Sequence, residues 1–145
     1  MGDITKNFSK REFECNCGCE NNNISETLVN LLQNVRDLTG RSIHITSGIR
    51  CKDYNDKIGG VKNSAHVPAD LGTGEGEVGH AVDVFISNSS NRFELLEAVF
   101  PVGFKRLGIG HNFLHLDIDK RKPQNVGFDY YIKDRKHINL VHRVI

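Results

Sequence analysis

The sequence predicts an α+β domain: a small, mainly antiparallel sheet with helices packed on it. Three observations carry that class. Ser25 to Gly40 keeps one apolar stripe at helical spacing. The segments around Ile45, Val84 and Leu116 alternate apolar and polar residues, as half-buried strands do. The order is helix, strand, helix, long loop, strand, helix, hairpin, without the regular strand–helix alternation of a parallel sheet. The 145 residues fit one domain over 1–145 and can bury a real core.

In chain order, Ser9-Lys10-Arg11-Glu12 reads as a capping box opening a short helix, with Phe8 and Phe13 free for the core. Ser25 caps the next helix, whose stripe is Leu28, Leu31, Leu32, Val35 and Leu38, and Gly40 supplies its left-handed end. Ser42 to Thr46 follows as a strand, with Ile43 and Ile45 on one side and His44 on the other. Ser47-Gly48 turns the chain and delivers Arg50. Cys51 to Ile58 forms a short helix ended by Gly59-Gly60.

Val61 to Gly79 is a long, glycine-bearing loop, and loops of that length are functional or mobile. His80 to Ser87 is a strand with Val82, Val84 and Ile86 on one face and Asp83 on the other. Ser89, Ser90 or Asn91 caps a helix whose inner stripe is Phe93, Leu96, Val99 and Phe100, and Pro101 and Gly103 stop it. Lys105 to Ile109 and Phe113 to Ile118 form a hairpin. In its second strand Leu114, Leu116 and Ile118 share one face, and Phe113, His115 and Asp117 the other. Beyond Lys120 a basic tail, with Phe128, Tyr130, Tyr131, Ile132, Ile138, Leu140 and Val141, should add one or two short elements to the sheet.

Composition excludes several classes. The net charge of +1 implies no nucleic acid or acidic membrane as partner. No apolar run is long enough to span a bilayer. The first residues lack the apolar core of a signal peptide, so synthesis in a cytoplasm is expected, with any action on a cell wall following lysis or another export route. A monomer is expected. Cys15, Cys17 and Cys19 form a CNCGC cluster that Cys51 could join. A thiolate metal site, disulfides and free thiols all remain open, disulfides being disfavoured in a reducing compartment.

The chemistry concentrates in Asp83 and His115, each mid-strand and opposite a row of aliphatic residues. An aspartate there is costly to bury without a partner, and a cation is the obvious one. Two histidines and one carboxylate suit zinc and leave its fourth position open, as catalytic sites do. His80 precedes Asp83 by an odd offset and should face the other way. His111 lies in the hairpin turn, and His137 and His142 lie in the tail.

SGIRC, DYNDKIGGVKNSAH, GHAVD, GFKRLGIG and FLHLDID together resemble the LAS metallopeptidases: zinc D-alanyl-D-alanine carboxypeptidases and dipeptidases, L-alanyl-D-glutamate endopeptidases of phage lysis, and the hedgehog domain. The likeness is greatest to small phage and prophage peptidoglycan peptidases and runs from Phe8 to about Val126. It implies a hedgehog-like fold and zinc held by His66, Asp83 and His115. It also implies substrate contact and oxyanion stabilisation by Arg50, with Ser64 of the SxH motif beside the substrate.

Two departures stand out. Residues within VPADLGTGEGEV lengthen the span from His66 to Asp83, read as an insertion over the cleft made mobile by Gly72, Gly74 and Gly76. Many relatives also carry an acid three residues before the last histidine, where this chain has Asn112, which cannot take a proton from water. Asp117 is favoured as the catalytic acid and base, with Glu75, Glu77 and His111 as alternatives and zinc-ligand orientation as Asp117's other role. The expected function is zinc-dependent hydrolysis of amide bonds in peptidoglycan stem peptides, in a phage or prophage lysin. The rivals are a catalytically silent zinc-stabilised wall-binding or assembly module, and a phage component that opens the wall during entry.

Overall fold

The computed structural model describes residues 2–130, so the expectations for Tyr131, Ile132, His137, Ile138, Leu140, Val141 and His142 lie outside the described residues. A 3-10 turn, η1 (Lys10–Phe13), leads to α1 (Glu26–Thr39), β1 (Ile45–Ser47), α2 (Lys52–Lys57), β2 (Ala81–Phe85), α3 (Ser89–Val102), β3 (Arg106–Ile109), β4 (Phe113–Asp117) and β5 (Val126–Asp129). One sheet runs β1-β2-β4-β3-β5. Every pairing is antiparallel except β3 with β5. The predicted α+β class therefore holds.

The chain's own punctuation sets these elements. Ser9 opens η1, its N–H donating to the Glu12 carboxylate at 2.8 Å. The Ser25 hydroxyl caps α1 by accepting from Leu28 N–H, and Gly40 ends the helix at φ 65°, where a side chain would be strained. Leu28, Val29, Leu32 and Val35 bury one face of α1, each contributing roughly 1.5–3 kcal/mol of transfer free energy. Leu38, expected on that stripe, is 62% exposed in the last turn. Across the helix lie Val82, Val84, Leu114 and Leu116 from the inner face of the sheet, all at 1% exposure or less.

α3 departs most from expectation. Asn88 is its cap, its side chain accepting from Asn91 N–H. Its buried residues are Leu95, Ala98 and Val99, whereas Phe93 and Phe100 are exposed. Pro101 lies inside the helix, which ends one residue later at Val102. In the final turn a proline forfeits only one backbone hydrogen bond, so it does not halt the helix. No helix among the described residues is long and apolar enough to cross a membrane.

Candidate metal centre

Strand register builds the first half of the site. β2 and β4 pair with Asp83 directly opposite His115. Side chains alternate, so the pleat that sends Val82, Val84, Leu114 and Leu116 into the core turns Asp83 and His115 to the opposite face. On the far side of β4, Gly108 of β3 stands opposite His115, and Phe128 of β5 stands opposite Gly108. The missing side chain at Gly108 makes room for two rings. A Cβ there would lie 2.5 Å from Phe128 Cε2 and 2.7 Å from Tyr130 Cε2. Phe128 and Tyr130 instead lean over the row, their ring centres 5.7 and 6.2 Å from that of His115.

His66 arrives from the loop after α2, held by its backbone. Arg50 N–H donates to His66 O at 3.0 Å and His80 N–H to Ala65 O at 2.9 Å, while the Ser64 hydroxyl accepts from His66 N–H at 3.3 Å. The three expected ligands converge. Asp83 Oδ1 is 3.0 Å from His115 Nδ1 and 3.3 Å from His66 Nε2, and those two nitrogens are 3.3 Å apart.

The outer nitrogen of each ring shows what the centre lacks. His66 Nδ1 is 2.7 Å from the Gly48 carbonyl, and His115 Nε2 is 2.7 Å from Asp117 Oδ2. A carbonyl and a carboxylate can only accept, so each imidazole donates outward and turns an unprotonated nitrogen inward. Three acceptors thus face one another. A shared proton satisfies one such contact, whereas a cation satisfies all three. Ligand atoms about 2.0–2.2 Å from a tetrahedral zinc stand roughly 3.3–3.6 Å apart, close to the separations found here. The donor set and its spacing fit zinc.

The charges favour that fit at two of the three ligands, His66 and Asp83, whereas at His115 a metal must displace a proton. Burial pushes His66 towards its neutral form, the form that ligates metal. Burial works against charge on His115 too, but hydrogen bonds to Asp117 and Asp83 outweigh it and raise its pKa. Asp83 is pulled far below the usual carboxylate range: desolvation opposes this, and the contacts with His115 and His66 prevail. Its side chain keeps 15% exposure, against 3% for His66 and 7% for His115, so the centre meets solvent at Asp83.

Arg50 is half-buried beside this centre. One guanidinium nitrogen donates to Asn55 Oδ1 at 3.0 Å, while its buried Nε has no hydrogen-bond partner. Asn55 is itself buried and donates to Val61 O. Tyr130, anticipated only as a packing residue, is near enough to Asp83 and Arg50 to feel their charges. Burial, reinforced by Asp83 and Asp117, pushes its pKa up, so it remains a neutral phenol. Nothing local in the sequence marks Tyr130; its place follows from the parallel β3–β5 register.

Other candidates are placed differently. Asp117 is 1% exposed and lies behind His115. Its Oδ2 accepts from His115, and its Oδ1 accepts from Arg106 Nε at 2.8 Å and from Asp119 N–H at 3.0 Å. Burial opposes its ionisation, yet the hydrogen bond from His115 keeps its pKa low. Ser64 is buried, and its hydroxyl braces the loop at His66.

Glu75 sits at the start of α1, accepting from Ser25 Oγ at 2.7 Å, Glu26 N–H at 2.7 Å and Thr27 N–H at 3.4 Å. The insertion read as a mobile cover is thus tied to α1, and it closes on itself through an Ala69–Val78 bridge. Glu77 and His111 are not part of the three-ligand cluster. His80, expected to face away from Asp83, is buried outside that cluster, and neither ring nitrogen has a hydrogen-bond partner.

A family model described as Peptidase M15 matches residues 5–118, a span that contains Arg50, His66, Asp83 and His115 and stops short of Phe128 and Tyr130. No curated protein matches the chain.

Proposed function

The chain belongs to the peptidase M15 family, and from that premise we propose that it is a zinc-dependent peptidase cleaving amide bonds in peptidoglycan stem peptides, as a phage or prophage lysin does. The observation that carries the reading is the triangle of His66 Nε2, Asp83 Oδ1 and His115 Nδ1, with both imidazole protons committed outward. When bound there, zinc supplies the Lewis acidity that polarises a peptide carbonyl and makes water nucleophilic near neutral pH. The lysin setting rests on the resemblance of the CxCxC start, Cys15 to Cys19, and the KPQN stretch, Lys122 to Asn125, to small single-domain phage and prophage peptidases.

The chain's own residues supply the rest. Arg50 brings a fixed cation to the substrate carbonyl or carboxylate. Tyr130, held neutral, offers a second donor over the His115 row. Phe128 and Tyr130 form an apolar wall that narrows water's access. Asp117 orients His115 and fixes its tautomer, a role its two engaged oxygens suit better than proton transfer. Ser64 holds His66 in place through its hydroxyl.

One observation favours the silent wall-binding module as the second reading. Asn112 occupies the place of the relatives' acid, and Asp117 and Glu75 are both committed to structural hydrogen bonds. Cleavage of purified walls separates the two. Zinc-loaded protein should release new amino groups from at least one wall type and lose that activity with chelator or on His66→Ala. Product masses from defined muropeptides then identify the bond. Wall binding without amine release from any wall type would leave the silent module standing.

A further inference from the structure

A second cluster of metal-ligating side chains lies outside this centre. The thiols of Cys15, Cys17, Cys19 and Cys51 converge, with all four sulfurs within 4.8 Å of one another. Cys17 Sγ is 3.4 Å from Cys15 Sγ and 3.6 Å from Cys51 Sγ. All four cysteines are free. We propose that they form a structural zinc site, a tetrathiolate separate from the histidine centre, that pins the N-terminal segment to the Arg50 stretch.

Zinc–sulfur bonds of about 2.3 Å in a tetrahedron put the sulfurs roughly 3.8 Å apart, a spacing bracketed by the 3.4 and 3.6 Å contacts of Cys17 and the 4.8 Å within which all four sulfurs lie. A disulfide requires its two sulfurs about 2.0 Å apart, far closer than Cys17 comes to either Cys15 or Cys51. Backbone amides already point at the sulfurs. Cys51 N–H donates to Cys15 Sγ, Cys19 N–H to Cys17 Sγ and Tyr54 N–H to Cys51 Sγ, each at 3.4 Å. Such donors offset the negative charge that four thiolates leave around a divalent ion. The loop is wound to suit: Gly18 takes φ 90°, and Cys15 N–H donates to Asn21 O at 2.8 Å.

The position gives the site a purpose. Ile49 N–H donates to Phe13 O at 2.8 Å, just before the first cysteine. Gly48, whose carbonyl fixes His66, has no room for a Cβ against the Phe13 backbone. Cys51 follows Arg50 directly and caps α2. A cation gripping Cys51 together with the 15–19 loop therefore clamps the segment that carries both Gly48 and Arg50. Closing the site releases the thiol protons and involves no change of oxidation state.

Metal analysis of the full chain, purified with a reductant and zinc, tests this. Wild-type protein should hold two zinc ions, and His66→Ala should keep one. Cobalt-reconstituted His66→Ala should show intense thiolate-to-metal charge-transfer absorption in the near ultraviolet. Cys17→Ser should lose that absorption, melt at lower temperature, and raise KM more than it lowers kcat. Zinc absent from His66→Ala with no cobalt–thiolate band would overturn the proposal, as would an intact mass showing oxidised cysteine pairs under reductant. The zinc content, cobalt absorption, melting temperature and mass are independent of the peptidase reading; only the KM-against-kcat comparison rests on it. A chain that keeps one zinc, lost with Cys17→Ser but not with His66→Ala, would sink the histidine centre and leave the tetrathiolate intact.

Discussion

The substitution Asp117→Asn should move a proton within the metal centre. The asparagine side chain would keep its Oδ1 for Arg106 Nε and Asp119 N–H, which now lie 2.8 and 3.0 Å from the aspartate oxygen. Its amide nitrogen would then take the place of Oδ2, 2.7 Å from His115 Nε2. Two donors cannot face each other, so the imidazole must turn Nε2 into an acceptor and carry its proton on Nδ1. That is the nitrogen 3.0 Å from Asp83 and 3.3 Å from His66, where a metal ligand must be bare.

Loss of such an outer partner lowers metal affinity by about 10–100-fold, which corresponds to about 1.4–2.7 kcal/mol. Because the acceptor for buried Arg106 survives, the cost to the metal-free fold should stay below the roughly 3–5 kcal/mol of stripping one partner from a buried ion pair. Zinc affinity is measured by competition with a chromophoric chelator in the Cys17→Ser background, so that only the histidine centre competes. The orienting argument makes weakened zinc binding the primary defect, with turnover recovering as zinc is raised. Unchanged zinc affinity with lost turnover at saturating zinc would refute it and return Asp117 to the role of proton carrier.

Other consequences are as direct. Gly48→Ala would put a Cβ 2.6 Å from both Cα and O of Phe13, backbone atoms that cannot swing aside; thermal denaturation should show a loss of about 1–3 kcal/mol, and wild-type stability would contradict the packing. Glu75→Ala removes three hydrogen bonds at the start of α1 and should cost about 1 kcal/mol with kcat unchanged; a large fall in kcat would make Glu75 catalytic after all. Burial would raise the pKa of Asp119, but hydrogen bonds from Arg121 hold it below the usual range. A depressed carboxylate contributes stability above its unfolded pKa of about 3.9 and loses it as pH falls through the folded value. In chelator, wild type should therefore be more stable than Asp119→Asn near neutrality, the gap closing below about pH 4; a gap independent of pH would contradict the assignment.

The parts legible in the sequence are those encoded by short-range period. Alternation in HAVDVFIS and FLHLDI placed Asp83 and His115 on polar faces, and the strand register put them opposite each other. Ser25 and Gly40 bounded α1 as expected. The illegible parts depend on which segments meet. Nothing near Glu75 shows that its carboxylate caps a helix fifty positions away, because an insertion's docking site is a tertiary fact. α3 misled because Phe93 and Phe100 have helical spacing, yet Leu95, Ala98 and Val99 form the buried face. Spacing locates a stripe without saying which of two adjacent stripes the core selects. Tyr130 belongs to the same class: only the β3–β5 pairing, with a glycine at position 108, brings its ring over His115.

The two ligand clusters sit at opposite ends of one short run of chain. Gly48 receives the His66 proton and Cys51 lies in the thiol cluster, so Ile49 and Arg50 are spanned from both sides. Three ligand atoms crowd together at one end and four sulfurs at the other. The stretch between them carries a guanidinium whose buried Nε has no partner. That donor costs free energy in the resting protein unless something binds it, and it has few ways to move aside while the run is fixed at both ends. A substrate carbonyl or carboxylate would meet an arginine already in position. The cations would carry the cost of ordering the run and hold the guanidinium in place.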